Sequence, residues 1–252
     1  MSKAVIGICK YCGEEKRLCG AHIIPECFFI KDKEDKAPYL SLSEKEFVKR
    51  FPQGMYDRAI LCAECDNKFS VYESHAKELF NHANFEKYRV ENTDRMLFSV
   101  PADCFDYKLL RMFFLSLIWR ASISNEGAFE YINLGKYEDI ALSILKDAEM
   151  DNDKLFGIFV FRYENSAFEG LVTAVQKRLL GDKGFLIAFA GFLFFIIPNP
   201  RNVLMNPQLS SFLLSKDKLD VLKADENFAG LLKMARNTYK RQQNFIQERK
   251  NN

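Results

Sequence analysis

After Cys65 the apolar residues Phe69, Tyr72, Ala76, Leu79 and Phe80 recur at the spacing of one helix face, so the run NKFSVYESHAKELF predicts a helix leaving the cysteine turn. Tyr107 to Arg120 (YKLLRMFFLSLIWR) is apolar nearly all round, which predicts a helix in the centre of a core. Further along, the pattern predicts a helix from Lys136 to Asp147, a strand within Leu155 to Tyr163 (LFGIFVFRY) and a short helix around Leu171 to Leu180. The most apolar stretch, Gly184 to Pro198 (GFLIAFAGFLFFIIP), is shorter than the roughly 20 residues of a membrane-spanning helix. Its Phe and Ile content, with a glycine in mid-run, predicts one or two buried strands. Helices and strands mix without regular alternation, which gives an α+β class.

Polar residues and Pro101 between positions 91 and 103 mark a boundary, dividing the chain into a cysteine-punctuated module, 1–90, and an α+β domain of unassigned role, 91–252. Inside the first part, Lys31 to Lys36 (KDKEDK) reads as a solvated loop. The chain closes on a basic helix, Leu231 to Asn252, in which Lys233, Arg236, Lys240, Arg241, Arg249 and Lys250 face the single acid Glu248. Packing through Leu232, Ala235, Tyr239 and Phe245 or Ile246 makes it a solvated terminal helix; phosphate contact is the alternative.

Composition adds an ample core: of 252 residues, 48% are hydrophobic and 24 are Phe, which argues against disorder. A net charge of +2 says little about partners. Cysteine placement says more, because six of the seven cysteines (Cys9, Cys12, Cys19, Cys27, Cys62, Cys65) fall in the first 65 residues. The opening MSKAVIGICKYC has too short an apolar run for a secretory signal, so the expectation is a cytoplasmic, reducing setting without membrane insertion, in which disulfides are disfavoured.

Cys9-Lys10-Tyr11-Cys12 and Cys62-Ala63-Glu64-Cys65 are two matching Cys-x-x-Cys turns, which together can offer four thiolates in a tetrahedron. That donor set suits structural Zn2+, whose binding would help a short module fold. A thioredoxin-like redox site is disfavoured, because Cys9 lies too near the start for a full preceding strand. A rival set, Cys9, Cys12, Cys19 and His22, also has plausible zinc spacing, with Cys62 and Cys65 then paired with His75 or His82. The four-cysteine set is preferred because the two turns match and the rival strands half the cysteines.

With these residues in view, the first 80 or so positions resemble the HNH (His-Me finger, ββα-metal) endonucleases in their zinc-stapled form. The resemblance is carried by CKYC at Cys9 to Cys12, AHIIP at Ala21 to Pro25, Asp57 before ILCAEC, and Asp66 directly after Cys65. It implies a zinc-bound ββα-metal module followed by a mixed helix/strand domain. It also implies His22 as the general base for phosphodiester hydrolysis, Asp57 where the family's asparagine orients the histidine loop, and Asp66 as a ligand of a catalytic Mg2+ or Mn2+. Ala21 departs from the family, because the residue before the histidine is often a second metal ligand; Glu73 or His75 could supply it, and His82 less well. The implied partner is nucleic acid, DNA ahead of RNA, in restriction or anti-phage defence, with a homodimer or larger complex possible. The alternative is a catalytically degenerate zinc module that binds nucleic acid or a protein without cutting, or a purely structural zinc protein.

Overall fold

The computed structural model describes residues 5–29, 40–42, 49–50, 54–80, 85–90, 95–163 and 171–224. The expected loop 31–36, the basic helix 231–252 and His82 lie outside them. The described part is mixed α+β, built on one eight-stranded sheet with two small two-stranded ladders beside it.

Five strands come first: β1 (Val5–Ile8), β2 (Glu15–Leu18), β3 (Ala21–Ile24), β4 (Leu40–Leu42) and β5 (Lys49–Arg50). After β6 (Met55–Asp57) the chain turns into α1 (Ala63–Asn67) and α2 (Ser70–Leu79), the helix expected beyond Cys65. Then follow β7 (Met96–Pro101), α3 (Tyr107–Ile123), α4 (Tyr137–Lys146), β8 (Gly157–Tyr163), β9 (Leu171–Leu179), β10 (Asp182–Phe189), β11 (Phe192–Ile197) and β12 (Lys218–Ala224). The large sheet runs β5-β4-β9-β10-β11-β8-β12-β7. Its pairs are antiparallel except β4 with β9 and β12 with β8.

The apolar run 184–198 forms the β10–β11 hairpin, buried on both faces. Alternation along β11 sends Phe192, Phe194 and Ile196 into the main core and Leu193, Phe195 and Ile197 into a second cluster with Phe159, Leu186 and Val203. A strand buried on both sides reads as a continuous apolar run, as this one does. The helix expected around Leu171 to Leu180 is instead β9, paired with β10 from Leu179 opposite Asp182 to Thr173 opposite Ala188. Val172, Thr173, Ala174 and Val175 are all buried, so the first half of the strand carries no alternation, and the β-branched residues Val172, Thr173 and Val175 suit the sheet. No helix among the described residues is long and apolar enough to cross a membrane.

Helix α3 explains its uniform apolarity: every residue from Leu110 to Ala121 is buried. Its first turn is capped by Asp106, whose carboxylate accepts from the Leu109 amide at 2.9 Å. Two arginines are buried with it, and their nine-residue spacing puts them on opposite faces. Arg111 is bound by Asp151 and by the carbonyls of Asn152, Leu155 and Phe156. Arg120 points the other way, into the N-terminal part.

The expected boundary near residue 90 is not a break in the core. One apolar cluster joins Cys9, Phe28, Phe69 and Phe80 to Phe113, Trp119, Ile144 and Phe194. The Phe28 ring lies 5.7 Å from Phe113 and 5.1 Å from Phe189, and Phe80 lies 5.0 Å from Phe192. The Tyr11 hydroxyl, buried between the first two cysteines, donates to the Leu145 carbonyl at 3.0 Å.

Candidate functional site

The first cysteine turn closes the β1–β2 hairpin. The Gly13 amide donates to the Cys9 carbonyl at 2.8 Å and the Cys9 amide to the Glu14 carbonyl at 2.9 Å. Gly13 holds φ at 80°, a left-handed conformation that costs glycine little. A short strand does precede Cys9, but it pairs in a hairpin and not in a βαβ unit. The second turn opens α1, with the Cys65 and Asp66 amides donating to the Cys62 carbonyl at 3.1 and 3.0 Å. The two turns are tied together where Lys10 and Cys19 donate to the carbonyls of Ile60 and Leu61.

This brings Cys9, Cys12, Cys62 and Cys65 together with their sulfurs all within 4.8 Å of one another. A zinc–sulfur bond of about 2.3 Å places tetrahedral sulfurs about 3.8 Å apart, so small adjustments would seat a zinc ion and the donor set fits. It is the one such group of metal-ligating side chains among the described residues, and the set built on Cys19 and His22 is not assembled. Burial works against a thiolate at Cys9, but the amides of Cys12, Cys62 and Tyr11 outweigh it and hold the thiol down at about 7. Cys65 is pushed the other way by burial and by the neighbouring thiols of Cys62 and Cys9. Metal ligation takes the thiolate form, so binding here would release the thiol protons.

Beside the thiols lies a second, oxygen- and nitrogen-rich cluster. β3 and β6 pair antiparallel, with His22 opposite Tyr56, and the chain continues from β6 into α1 and α2. Asp66 and Glu73 are seven residues apart, and the intervening Lys68 and Phe69 stay near helical angles, so both carboxylates lie on one face, two turns apart. His22 lies within electrostatic reach of Asp66. Burial raises the Asp66 carboxyl and the Glu73 charge adds to it, while Arg120, His22 and a hydrogen bond from the Cys19 thiol oppose it. The same carboxylate and burial push Cys19 up to about 11, burial being the larger cause. Cys27 is pushed up to about 11 as well, by burial and then by the Glu73 charge.

The sequence did not point to Arg120 as part of this cluster. It comes from α3, is 1% exposed, forms an ion pair with Glu73 at 2.7 Å and donates to the His22 carbonyl at 2.5 Å. Its guanidinium lies over the Phe69 ring at 5.0 Å. The one available signal was a charged residue amid apolar ones in α3, which, like Arg111, must find a partner when buried.

The remaining expected residues are placed differently. Asp57 pairs opposite Ala21 in the ladder, and its carboxylate accepts from the amides of Ala59 at 2.7 Å and Asn125 at 2.8 Å. It anchors the end of α3 to β6. His75 is two residues beyond Glu73 and so about 200° round the helix, turned away from Asp66. Its Nε2 accepts from the Asp106 amide at 3.1 Å. Ala21 is fully buried. No family model matches this chain, and none of the curated proteins or solved structures does either.

Proposed function

We propose that this protein is a zinc-stapled, metal-dependent endonuclease that hydrolyses phosphodiester bonds in nucleic acid, with DNA favoured over RNA. The observation that carries the reading is the electrostatic neighbourhood of Asp66 with His22 and Glu73, on a strand–strand–helix unit next to the four clustered cysteines. Bound Zn2+ would hold the module in shape and do no chemistry. Hard cations such as Mg2+ or Mn2+ take oxygen ligands and are often held by one or two carboxylates, of which Asp66 would be one and Glu73, paired with Arg120, a second only on leaving that pair. Such a cation, when bound, offsets charge developing on the phosphate and the leaving oxygen. His22, in its neutral form, accepts the proton of the attacking water. Its ring is steadied by Tyr56, whose ring centroid lies 5.8 Å away in an edge-on arrangement. Restriction or anti-phage defence is the setting such an activity would suit.

The test is cleavage of supercoiled and linear duplex DNA, single-stranded DNA and RNA by the purified protein with Mg2+ or Mn2+. His22→Ala should lower the rate about 100-fold or more, since a general base is worth roughly 10²–10⁴, while zinc content and melting temperature stay put. A wild-type protein that cuts none of these substrates with either cation would overturn the reading.

One observation favours a second reading, a module that binds nucleic acid without cutting it. Ala21 offers no ligand and Glu73 already serves Arg120, which leaves Asp66 as the carboxylate not bound to that arginine. Binding that weakens steeply with salt, without cleavage, would select it.

A further inference from the structure

We infer that Arg120 is the positioning residue of this site: its guanidinium fork fixes the strand that carries His22 against the helix that carries Glu73. The inference rests on the nuclease reading for its kinetic consequence, but its geometry stands alone. The β3–β6 ladder shifts register between His22 and Ile24, since His22 lies opposite Tyr56 and Ile24 opposite Met55. Register shifts of this kind re-aim side chains and interrupt regular ladder pairing. At this one the His22 carbonyl receives Arg120 Nη1, and the same nitrogen binds Glu73 Oε1. The guanidinium is itself oriented from within α3: Nε donates to the Ser116 carbonyl at 3.3 Å and Nη2 to the Ser116 hydroxyl at 3.4 Å. With Phe69 under its face, the planar group is held at both edges and across its plane.

Burying a guanidinium is costly, and a well-packed apolar side chain often serves stability as well or better. What an apolar residue cannot supply is a rigid two-way tie between a strand backbone and a helical carboxylate. A lysine has one nitrogen that could reach both acceptors, as Nη1 does here, but it lacks the Nε and Nη2 donors that tie the group to Ser116 and the plane that lies on Phe69, so it cannot hold them rigidly. The site therefore depends on a residue far along the chain, contributed from beyond the N-terminal 90 residues.

Arg120→Lys and Arg120→Met in the zinc-loaded 252-residue chain provide the test, with steady-state cleavage and amide hydrogen exchange measured on each. Both variants should keep one zinc per chain. For Arg120→Lys, kcat should fall about 10- to 100-fold with KM within about threefold, because misplacement of about 1 Å is enough to cost that much. Exchange should rise about tenfold or more at residues 21–24 and 70–76, while the β10–β11 hairpin keeps its protection. Wild-type kcat and unchanged protection in Arg120→Lys would overturn the inference, as would protection lost evenly throughout the sheet. If the wild-type chain cuts nothing, the nuclease reading fails by itself and the exchange pattern alone decides on Arg120.

Discussion

Asp57 shows how one carboxylate can serve a site without touching it. It is 6% exposed and accepts from two backbone amides, Ala59 and Asn125, with the Asn125 side chain and the Ser124 hydroxyl nearby at 3.3 and 3.4 Å. Removing it takes away the charged acceptor that these part-buried donors share, and hydrogen bonds to charged groups are worth about 1.5–3 kcal/mol. Asp57→Ala should therefore lower the melting temperature by several degrees, at about 2–4 °C per kcal/mol for a chain of this size. Asp57→Asn retains an acceptor and should lose less; equal losses in the two variants would contradict the anchoring role. At this scale the sequence was legible wherever chemistry is local. The matching cysteine turns announced the thiol cluster because each turn is four residues long, and Asp66 and Glu73 share a face because helical periodicity puts them there. Arg120 was illegible as a site residue because its partner carbonyl on His22 is 98 residues away in sequence, and no periodicity spans that distance.

Elements were legible in proportion to how simply their surroundings could be guessed. Helix α3 is buried on every side and reads so, and the β10–β11 hairpin reads as a doubly covered strand pair. β9 misled because its buried first half lacks alternation and its exposed end, Gln176 to Arg178, is as polar as a helix surface. The β11 side of the hairpin explains a glycine on β10. Gly184 faces Lys177 on β9, and a Cβ there would approach the Phe195 ring at 2.6 Å and Ile197 Cγ1 at 2.9 Å. Those atoms belong to the adjacent strand of the same buried hairpin, with little room to retreat. Overpacking of this sort costs typically about 1–3 kcal/mol. Gly184→Ala should lower the unfolding free energy by that amount, seen as a lower denaturation midpoint at an unchanged denaturant slope, whereas Gly13→Ala, with no atom within 4 Å of its added Cβ, should show strain from its φ alone.

At the scale of the whole molecule, the issue is whether the four-cysteine module is a separate unit. Tyr11, between Cys9 and Cys12, packs edge-on against Phe69 and Trp119 at 5.7 and 6.1 Å while its hydroxyl reaches Leu145. Phe28 and Phe80 bury their rings among Phe113, Phe189 and Phe194, and Arg120 reaches back from α3 to β3 and α2. In a unit joined through its core in this way, a metal held by the four cysteines would be coupled to the packing of its neighbour. Metal binding to the folded chain alone adds directly to the stability of everything that unfolds with it. Calorimetry of the zinc-loaded protein should accordingly show a single transition, and stripping the metal, or Cys62→Ser, should lower that same transition by about 10 °C or more, from a loss of several kcal/mol at about 2–4 °C each. Were the module independent, two transitions would appear and the chelator would move one of them. That result would support the boundary near residue 90 that the sequence suggested, and with it the need to explain how Arg120 could hold a site in a unit that unfolds without it.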